Sequence, residues 1–512
     1  MDSRFGFLRT SPKRPNIIHS SPIIVMSPNP RRDVSIGRNH LPSVHDSGVK
    51  WKMDLGISMR DVPESFRRGI VSKKLKVTVI GAGYVGLPTS ALISDKGFHV
   101  VISEIDKSII RLIRKGRSPF NEPGLDEIIS HNLHAKRIRA IKDARIACKN
   151  ADVVMIAVQT PLGADKGPEL SALRSLLGSI SANLKKGVLV ILISTVPPGS
   201  TRGWVRKIIE RESGFKLEKD YFLAYSPERM APGSAISEVV RNPRLVGGVG
   251  RISTKLASLM IQVISPITIE TDSTSAEVAK LAENASRDLN IAFTNQLAII
   301  CEQLGVDVLE VIRIANTHPR VRLLSPGPGV GGPCLTKDGY FLIADRKKGL
   351  RDLVILSREI NDQMAIHIES ITLDAISEAG KKAEKCKIAM LGVAYKANIE
   401  DTRESPSIRI IKGICHDVSS ISVFDPYVKK IPGLNHAPSI ESCVKNADCL
   451  IIGTDHNEFR HLNLRRIMKD MNASPIIIDT RRIIDPDEAI RHGFTYIGVG
   501  YGHTEMDDMD CI

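Results

Sequence analysis

Aromatic side chains make up only 4% of this 512-residue sequence, and two of them are tryptophan. That leaves few ring platforms on which single-stranded bases could stack. No stretch approaches the roughly 20 apolar residues that a membrane helix needs; the longest strongly apolar run, Val188 to Ile193, is the size of a strand. None of the eight cysteines forms a C-x-x-C pair, so no disulfide framework is indicated and a reduced, cytoplasmic setting is expected. Cys511 is next to last, which is wrong for a prenylation box. No zinc-finger spacing is present, and no metal site is expected. The net charge of +14 could suit nucleic acid, but much of it sits in the first 74 residues and the rest is interspersed with acids. Part of it is equally explained by a basic site for an anionic nucleotide. Nucleic acid and membrane are therefore set aside as partners.

What is present is an α/β chain. Residues 1–74, rich in Ser, Pro, Arg and Asn with runs such as Ser27-Pro28-Asn29-Pro30-Arg31-Arg32, show no sustained period of 2 or 3.6. They read as a disordered or non-native extension, and deleting residues 1–70 is expected to leave folding and activity near wild type. From Lys76 short apolar strands alternate with helical segments, at 76–80, 100–105, 152–158 and 188–194. A breaker-poor helix spans Ser273 to about Leu304, and a second α/β block has strands at 386–392, 421–424, 450–453 and 476–479. The expected fold is two Rossmann-like, doubly wound parallel domains joined by a long central helix. Expected boundaries are 75–270, 271–380 for the helical, dimer-forming region with the cysteine loop, and 381–505.

Gly81-Ala82-Gly83-Tyr84-Val85-Gly86 follows a strand and opens a helix. The first glycine permits the tight turn, the second lets backbone N–H groups approach a pyrophosphate, and the third packs helix on strand. Glu104, at the end of the next strand, suits ribose hydroxyls and would repel a 2′-phosphate, which favours NAD over NADP. A second signal is Cys334, preceded by Gly327-Pro-Gly-Val-Gly-Gly-Pro333 and followed by Lys337 and Asp338. A lone cysteine is ordinarily a small buried hydrophobe, the better reading for Cys148, Cys301 and Cys449. The glycine loop and its charged neighbours favour a reactive thiolate at Cys334 instead. Lys280 and Asn284 are i, i+4 neighbours on the long helix: a solvated face, or a cation and amide placed for an oxyanion.

These motifs, with Ser194-Thr195-Val-Pro-Pro-Gly199, Ser226-Pro-Glu228-Arg229, Tyr395-Lys396 and Asp401-Thr-Arg403-Glu-Ser405, resemble the UDP-glucose/GDP-mannose dehydrogenase family from residue 75 to about 500. The resemblance implies NAD contacts from the glycine turn (Gly81, Gly83, Tyr84, Val85, Gly86), Glu104, Thr160, Thr195 and Arg403. It implies substrate contacts from Arg320, Arg322, Lys396 and Arg481, the UDP part lying in the last domain, and a homodimer built on the long helix. It also implies that C6 of a UDP-sugar is oxidised twice by NAD, through a thiohemiacetal and then a thioester on Cys334. Lys280 and Asn284 would steady oxyanions, Asp338 the hydrolytic water, and Glu228 would serve in acid/base or water positioning. The sequence around Arg320 and Glu228 leans toward UDP-N-acetylmannosamine, then UDP-N-acetylglucosamine, then UDP-glucose, although Pro333 replaces the usual His of that branch. A 3-hydroxyacid or 6-phosphogluconate type of dehydrogenase would need neither Cys334 nor a second nucleotide domain; an NAD-binding scaffold would need none of the catalytic set.

Overall fold

The computed structural model describes residues 62–344 and 352–502. Its first sheet contains β1 (Lys76–Ile80), β2 (His99–Ser103), β3 (Ile138–Ile141), β4 (Val153–Ile156), β5 (Val188–Leu192), β6 (Tyr221–Tyr225), β7 (Arg244–Gly248) and β8 (Thr268–Asp272). The order is β3-β2-β1-β4-β5-β6-β7-β8. The parallel arrangement expected from the sequence holds over the first six strands. β7 runs antiparallel to β6, and β8 is parallel to β7. The β6–β7 connection carries one seven-residue helix, Ala235–Arg241, and re-enters from the end it left, so no full crossover is made. Central strands are buried on both faces, which is why Val188–Leu192 reads as a continuous apolar run. Val153 and Met155 pack with Leu87 and Ala91 on one face, while Val154 and Ile156 pack with Leu173 and Leu177 on the other.

The second sheet contains β9 (Lys387–Leu391), β10 (Ser420–Phe424), β11 (Asn435–His436), β12 (Cys449–Ile452), β13 (Ile476–Asp479) and β14 (Thr495–Gly498), ordered β11-β10-β9-β12-β13-β14. All its pairs are parallel. Between the sheets runs the helix Ser273–Leu304, about 48 Å long at 1.5 Å per residue. Asp272 caps it by accepting from the amides of Thr274 (2.9 Å) and Ser275 (3.1 Å), and Gly305 ends it at φ +69°. A second long helix, Leu353–Glu378, was not anticipated, although its 26 residues contain neither Gly nor Pro. Arg358, 2% exposed, ties it to the central helix by donating to Asp288 at 2.6 Å.

The extension expected at 1–74 is too long at its end. Residues Glu64–Val71 form a helix, and Val62 and Phe66 are buried in the same core as Leu75, Val77 and Val79. Gly69 permits this approach, because a Cβ there would lie 2.4 Å from Leu75 Cδ2. About two turns with two anchors are too short to register as a period. Residues 1–61 lie outside the described residues, so a deletion must stop before Val62 to test the original expectation. Phe66→Ala is expected to destabilise the first domain by about 3 kcal/mol in urea unfolding; a loss within about 0.5 kcal/mol would mean the helix adds nothing to the core.

Candidate active site

At the carboxyl end of β1 the three glycines have three different jobs. Gly81 sits at φ +96°, a region that side chains resist, and a Cβ at Gly86 would lie 1.9 Å from the Gly81 carbonyl oxygen. A Cβ at Gly83, by contrast, would meet nothing within 4 Å. Gly83 instead opens onto a cleft of about 660 Å³ that also exposes Tyr84, Val85, Thr160, Thr195 and Cys334. An open backbone at the start of the helix Gly86–Asp95 is the cradle a dinucleotide pyrophosphate needs. Glu104 stands beside the turn, with one carboxylate oxygen accepting from Ala82 N at 2.8 Å and the other from Asp106 N at 3.0 Å. Lone pairs remain on both oxygens for ribose hydroxyls. Thr160 and Thr195 are brought together, the Thr160 hydroxyl donating to the Thr195 carbonyl at 2.8 Å, and Lys337 Nζ donates to the Thr160 carbonyl at 2.8 Å.

Glu228, which lines the cleft with Cys334, belongs to a buried charged group. Lys280 Nζ donates to Glu228 Oε1 at 3.0 Å and lies 4.0 Å from Asp338 Oδ2. Asn284 Nδ2 donates to the same Asp338 oxygen at 2.6 Å, while Asp338 Oδ1 is buried without a hydrogen-bond partner. Lys280 and Asn284 thus share a face, but that face is buried rather than solvated. Burial would lower the Lys280 pKa, yet the carboxylates of Glu228 and Asp338 outweigh it and hold the ammonium charged. Burial would likewise raise Glu228, but the Lys280 charge wins and keeps it an anion. For Asp338 burial wins, and its pKa is raised.

Cys334 departs from expectation. Its thiol opens onto the cleft and precedes the helix Leu335–Leu342, a setting that should favour a thiolate. Burial, then the fields of Glu228 and Asp338, instead push it up to about 12, against the weaker pull of Lys280 and Lys337. The resting group is a neutral thiol. The glycines before it also serve a purpose other than exposure: a Cβ at Gly331 would lie 2.6 Å from the Glu404 carbonyl oxygen, and one at Gly332 would lie 2.7 Å from the Tyr395 ring. They admit the last domain, whose Arg403 carbonyl accepts from Gly332 N at 2.9 Å. In the free protein Cys334 is therefore expected to alkylate with iodoacetamide at pH 8 at least ~100-fold more slowly than exposed Cys415. The rate should rise about tenfold per pH unit up to pH 10, followed by peptide mass spectrometry. Equal rates at the two cysteines would mean that the thiol is already activated.

Arg403 pairs with Asp401 and lies over the Tyr84 ring, 5.1 Å from its centroid; Tyr84 in turn stacks on Phe120 at 4.1 Å. This joins the glycine turn to the last domain. Lys396 and Arg481 belong to the carboxyl ends of β9 and β13, on the far side of the glycine loop. Lys396 is exposed, and Arg481 donates to the Gly453 carbonyl at 3.3 Å and borders Gly327. Arg320 and Arg322 are exposed in the segment after the helix Val308–Ala315 and do not line this chain's cleft. Two groups escaped the sequence reading. Glu277, fully buried three residues before Lys280, accepts from Gly199 N (2.6 Å) and Thr201 N (2.8 Å), pinning the turn that carries Thr195. Helical spacing could have found it, since 277, 280, 284 and 288 share one face. Arg244, 1% exposed, lies under the Ser226–Glu228 strand end; its distance in sequence hid it.

Three family models cover the chain: the NAD binding domain of the UDP-glucose/GDP-mannose dehydrogenase family over residues 75–267, its central domain over 274–363 and its UDP binding domain over 389–486. The chain is 36% identical to a UDP-N-acetyl-D-mannosamine dehydrogenase of Pyrococcus horikoshii, over 84% of this chain and 100% of that one. It is 34% identical to an NDP-N-acetyl-D-galactosaminuronic acid dehydrogenase of Ralstonia solanacearum, over 79% and 95%. The solved structure of the Pyrococcus horikoshii UDP-D-ManNAc dehydrogenase superposes with a TM-score of 0.79 at 35% identity, covering 84% of this chain and all of that one. The chain belongs to the UDP-glucose/GDP-mannose dehydrogenase family and is an NAD-dependent nucleotide-sugar dehydrogenase.

Proposed function

We propose that this enzyme oxidises C6 of a UDP-N-acetylhexosamine, with UDP-N-acetylmannosamine first, to the uronate through a thioester on Cys334. The observation that carries the reading is that Cys334 and Glu228 line one cleft with the dinucleotide turn, and that Lys280, Asn284 and Asp338 form a buried polar cluster with that Glu228. Bound NAD supplies a hydride acceptor twice per sugar. Lys280 and Asn284 hold the developing oxyanion at C6. Cys334 adds to the aldehyde carbon, its proton passing to one of the two carboxylates whose fields retain it at rest. Asp338 Oδ1, buried and unpartnered, takes the hydrolytic water, and the thiol departs as the uronate forms. Glu228 keeps Lys280 charged. Glu104 would bind the ribose, and Thr160, Thr195 and Arg403 would line the cofactor; Lys396 and Arg481 would hold the UDP part. Relatives named for N-acetylated sugars support the sugar class.

Arg320 and Arg322 act on a neighbour's substrate in this reading. They follow a helical region whose outer face leaves Phe293, Ile300, Leu304 and Ile314 exposed, an apolar surface suited to a second copy. This surface supports a homodimer; among the described residues no helix is long and apolar enough to cross a membrane. The test is NADH formation with a panel of UDP- and GDP-sugars. Two NADH per sugar, with UDP-N-acetylmannosamine turned over most efficiently, is the expected result. UDP-glucose oxidised at least as well would overturn the sugar order, and one NADH per sugar would overturn the thioester.

A further inference from the structure

Behind the carboxyl ends of β9, β10 and β12 lies a buried pair for which the chemistry above has no use. His456 and Asp425 are both wholly inaccessible, with His456 Nε2 3.1 Å from Asp425 Oδ2. The other ring nitrogen, Nδ1, accepts from the backbone amide of Asn398 at 2.9 Å. That fixes the tautomer: Nδ1 carries the lone pair and Nε2 donates to the carboxylate. Asp425 Oδ2 also accepts from Val393 N at 2.8 Å and Ala394 N at 3.1 Å, and Oδ1 accepts from Tyr427 N at 2.9 Å and Val428 N at 3.0 Å. Thr454 Oγ1 donates to the Ala394 carbonyl at 2.6 Å.

The pair therefore grips one short segment at both ends, 393–394 through Asp425 and 398 through His456. Asn398 sits at φ +61°, in the left-handed region that asparagine enters more readily than other non-glycine residues. Its side-chain oxygen accepts from Asn457 N at 3.0 Å, the residue next to His456. Between the two grips stand Tyr395 and Lys396. Tyr395 is the ring that presses on Gly332, two residues before Cys334. Lys396 is the cation at the end of β9. Burying a charged or polar pair this completely is costly unless every group is hydrogen-bonded, and here every one is.

We propose that His456, held by Asp425, is a positioning residue for the reaction: through the Asn398 amide it fixes the 393–398 segment, which sets Lys396 for the nucleotide and seats the Cys334 loop through Tyr395. It touches neither substrate nor thiol. The assignment of Lys396 to the nucleotide rests on the function proposed above.

Three variants of the full chain test this. His456→Gln keeps a donor toward Asp425 but loses the acceptor for Asn398; His456→Asn can place its amide oxygen where Nδ1 was. Asp425→Asn turns one of the two acceptor oxygens that face Val393 N, Ala394 N, Tyr427 N and Val428 N into a donor and so loosens the pair's grip, which decides the matter should His456→Gln not fold. Calorimetric binding of UDP alone, KM and kcat for the nucleotide sugar, KM for NAD and alkylation of Cys334 relative to Cys415 are the readouts. His456→Gln and Asp425→Asn are expected to weaken UDP binding and raise the sugar KM about tenfold, to lower kcat by a similar factor and to speed Cys334 alkylation. KM for NAD should stay within about twofold, and His456→Asn should restore most of the loss. Unchanged UDP affinity and sugar KM, with only less active enzyme, would reduce the pair to a structural element and overturn the proposal. A wild-type enzyme that binds UDP but reduces no NAD with any UDP-sugar would sink the proposed function and leave the UDP readout standing. Wild type that does not bind UDP would overturn both.

Discussion

Cys334→Ser is expected to lower uronate formation by at least about 10³-fold while leaving the affinities for UDP and NAD within about twofold of wild type. The proposed binding groups lie elsewhere: the glycine turn and Glu104 for NAD, Lys396 and Arg481 for the UDP part. The chemistry does not transfer to oxygen. Burial and two carboxylates already push a thiol up to about 12 here, and the same surroundings acting on a hydroxyl leave no accessible alkoxide. A serine nucleophile needs a neighbouring base, and no histidine lines the cleft among the described residues. At most one hydride should leave per sugar, so product analysis by mass spectrometry should find aldehyde. Carboxylate at the wild-type rate would end the thioester reading.

Lys280→Ala should lower turnover by about 10²–10³, because its charge matters most where an oxyanion develops. It should also unsettle the fold. Lys280 is buried between Glu228 and Asp338, and removing one member of a buried pair typically costs about 3–5 kcal/mol. The pH dependence distinguishes this loss from a packing defect. Glu228 is held below its ordinary pKa chiefly because the Lys280 charge outweighs burial; without that charge, burial leaves it raised, as Asp338 already is. A carboxyl raised in the folded state contributes stability that is present at low pH and lost as pH rises. The deficit against wild type should therefore be larger at pH 8 than at pH 5 in urea unfolding. A threefold change in turnover with a pH-independent deficit would return Lys280 to a packing role.

Local signals carried the strands and the cofactor turn into view. Val188–Leu192 is apolar because both faces are buried, Ser273–Leu304 is capped by its own Asp272, and Gly86 answers a constraint five residues away, the carbonyl of Gly81. What could not be read depended on distant partners. The charge state of Cys334 is set by Glu228, 106 positions earlier in the numbering, and by burial under a domain that begins later. Gly331 and Gly332 looked like a loop opened for a thiol, yet their missing side chains make room for Glu404 and Tyr395. Arg244 and Glu277 are buried charges whose partners sit on other elements, and a sequence displays such residues as ordinary surface. Nor could two anchors in a short helix disclose that Phe66 belongs to the core.

That packing of Tyr395 and Glu404 on Gly331 and Gly332 has a temporal consequence. A chain emerging from the ribosome at ~5–20 residues per second folds its N-terminal portion first, and the whole NAD binding domain, residues 75–267, has been made before residue 300. Cys334 follows, but the wall that buries it consists of residues 395–406, anchored by strands translated later still. For the seconds that separate them, the thiol stands at the end of a nearly finished dehydrogenase without the last domain packed on its glycine loop. Oxidants encountered during synthesis thus have an opening that the mature protein denies them, and nascent chains should carry more Cys334 sulfenic acid than completed ones.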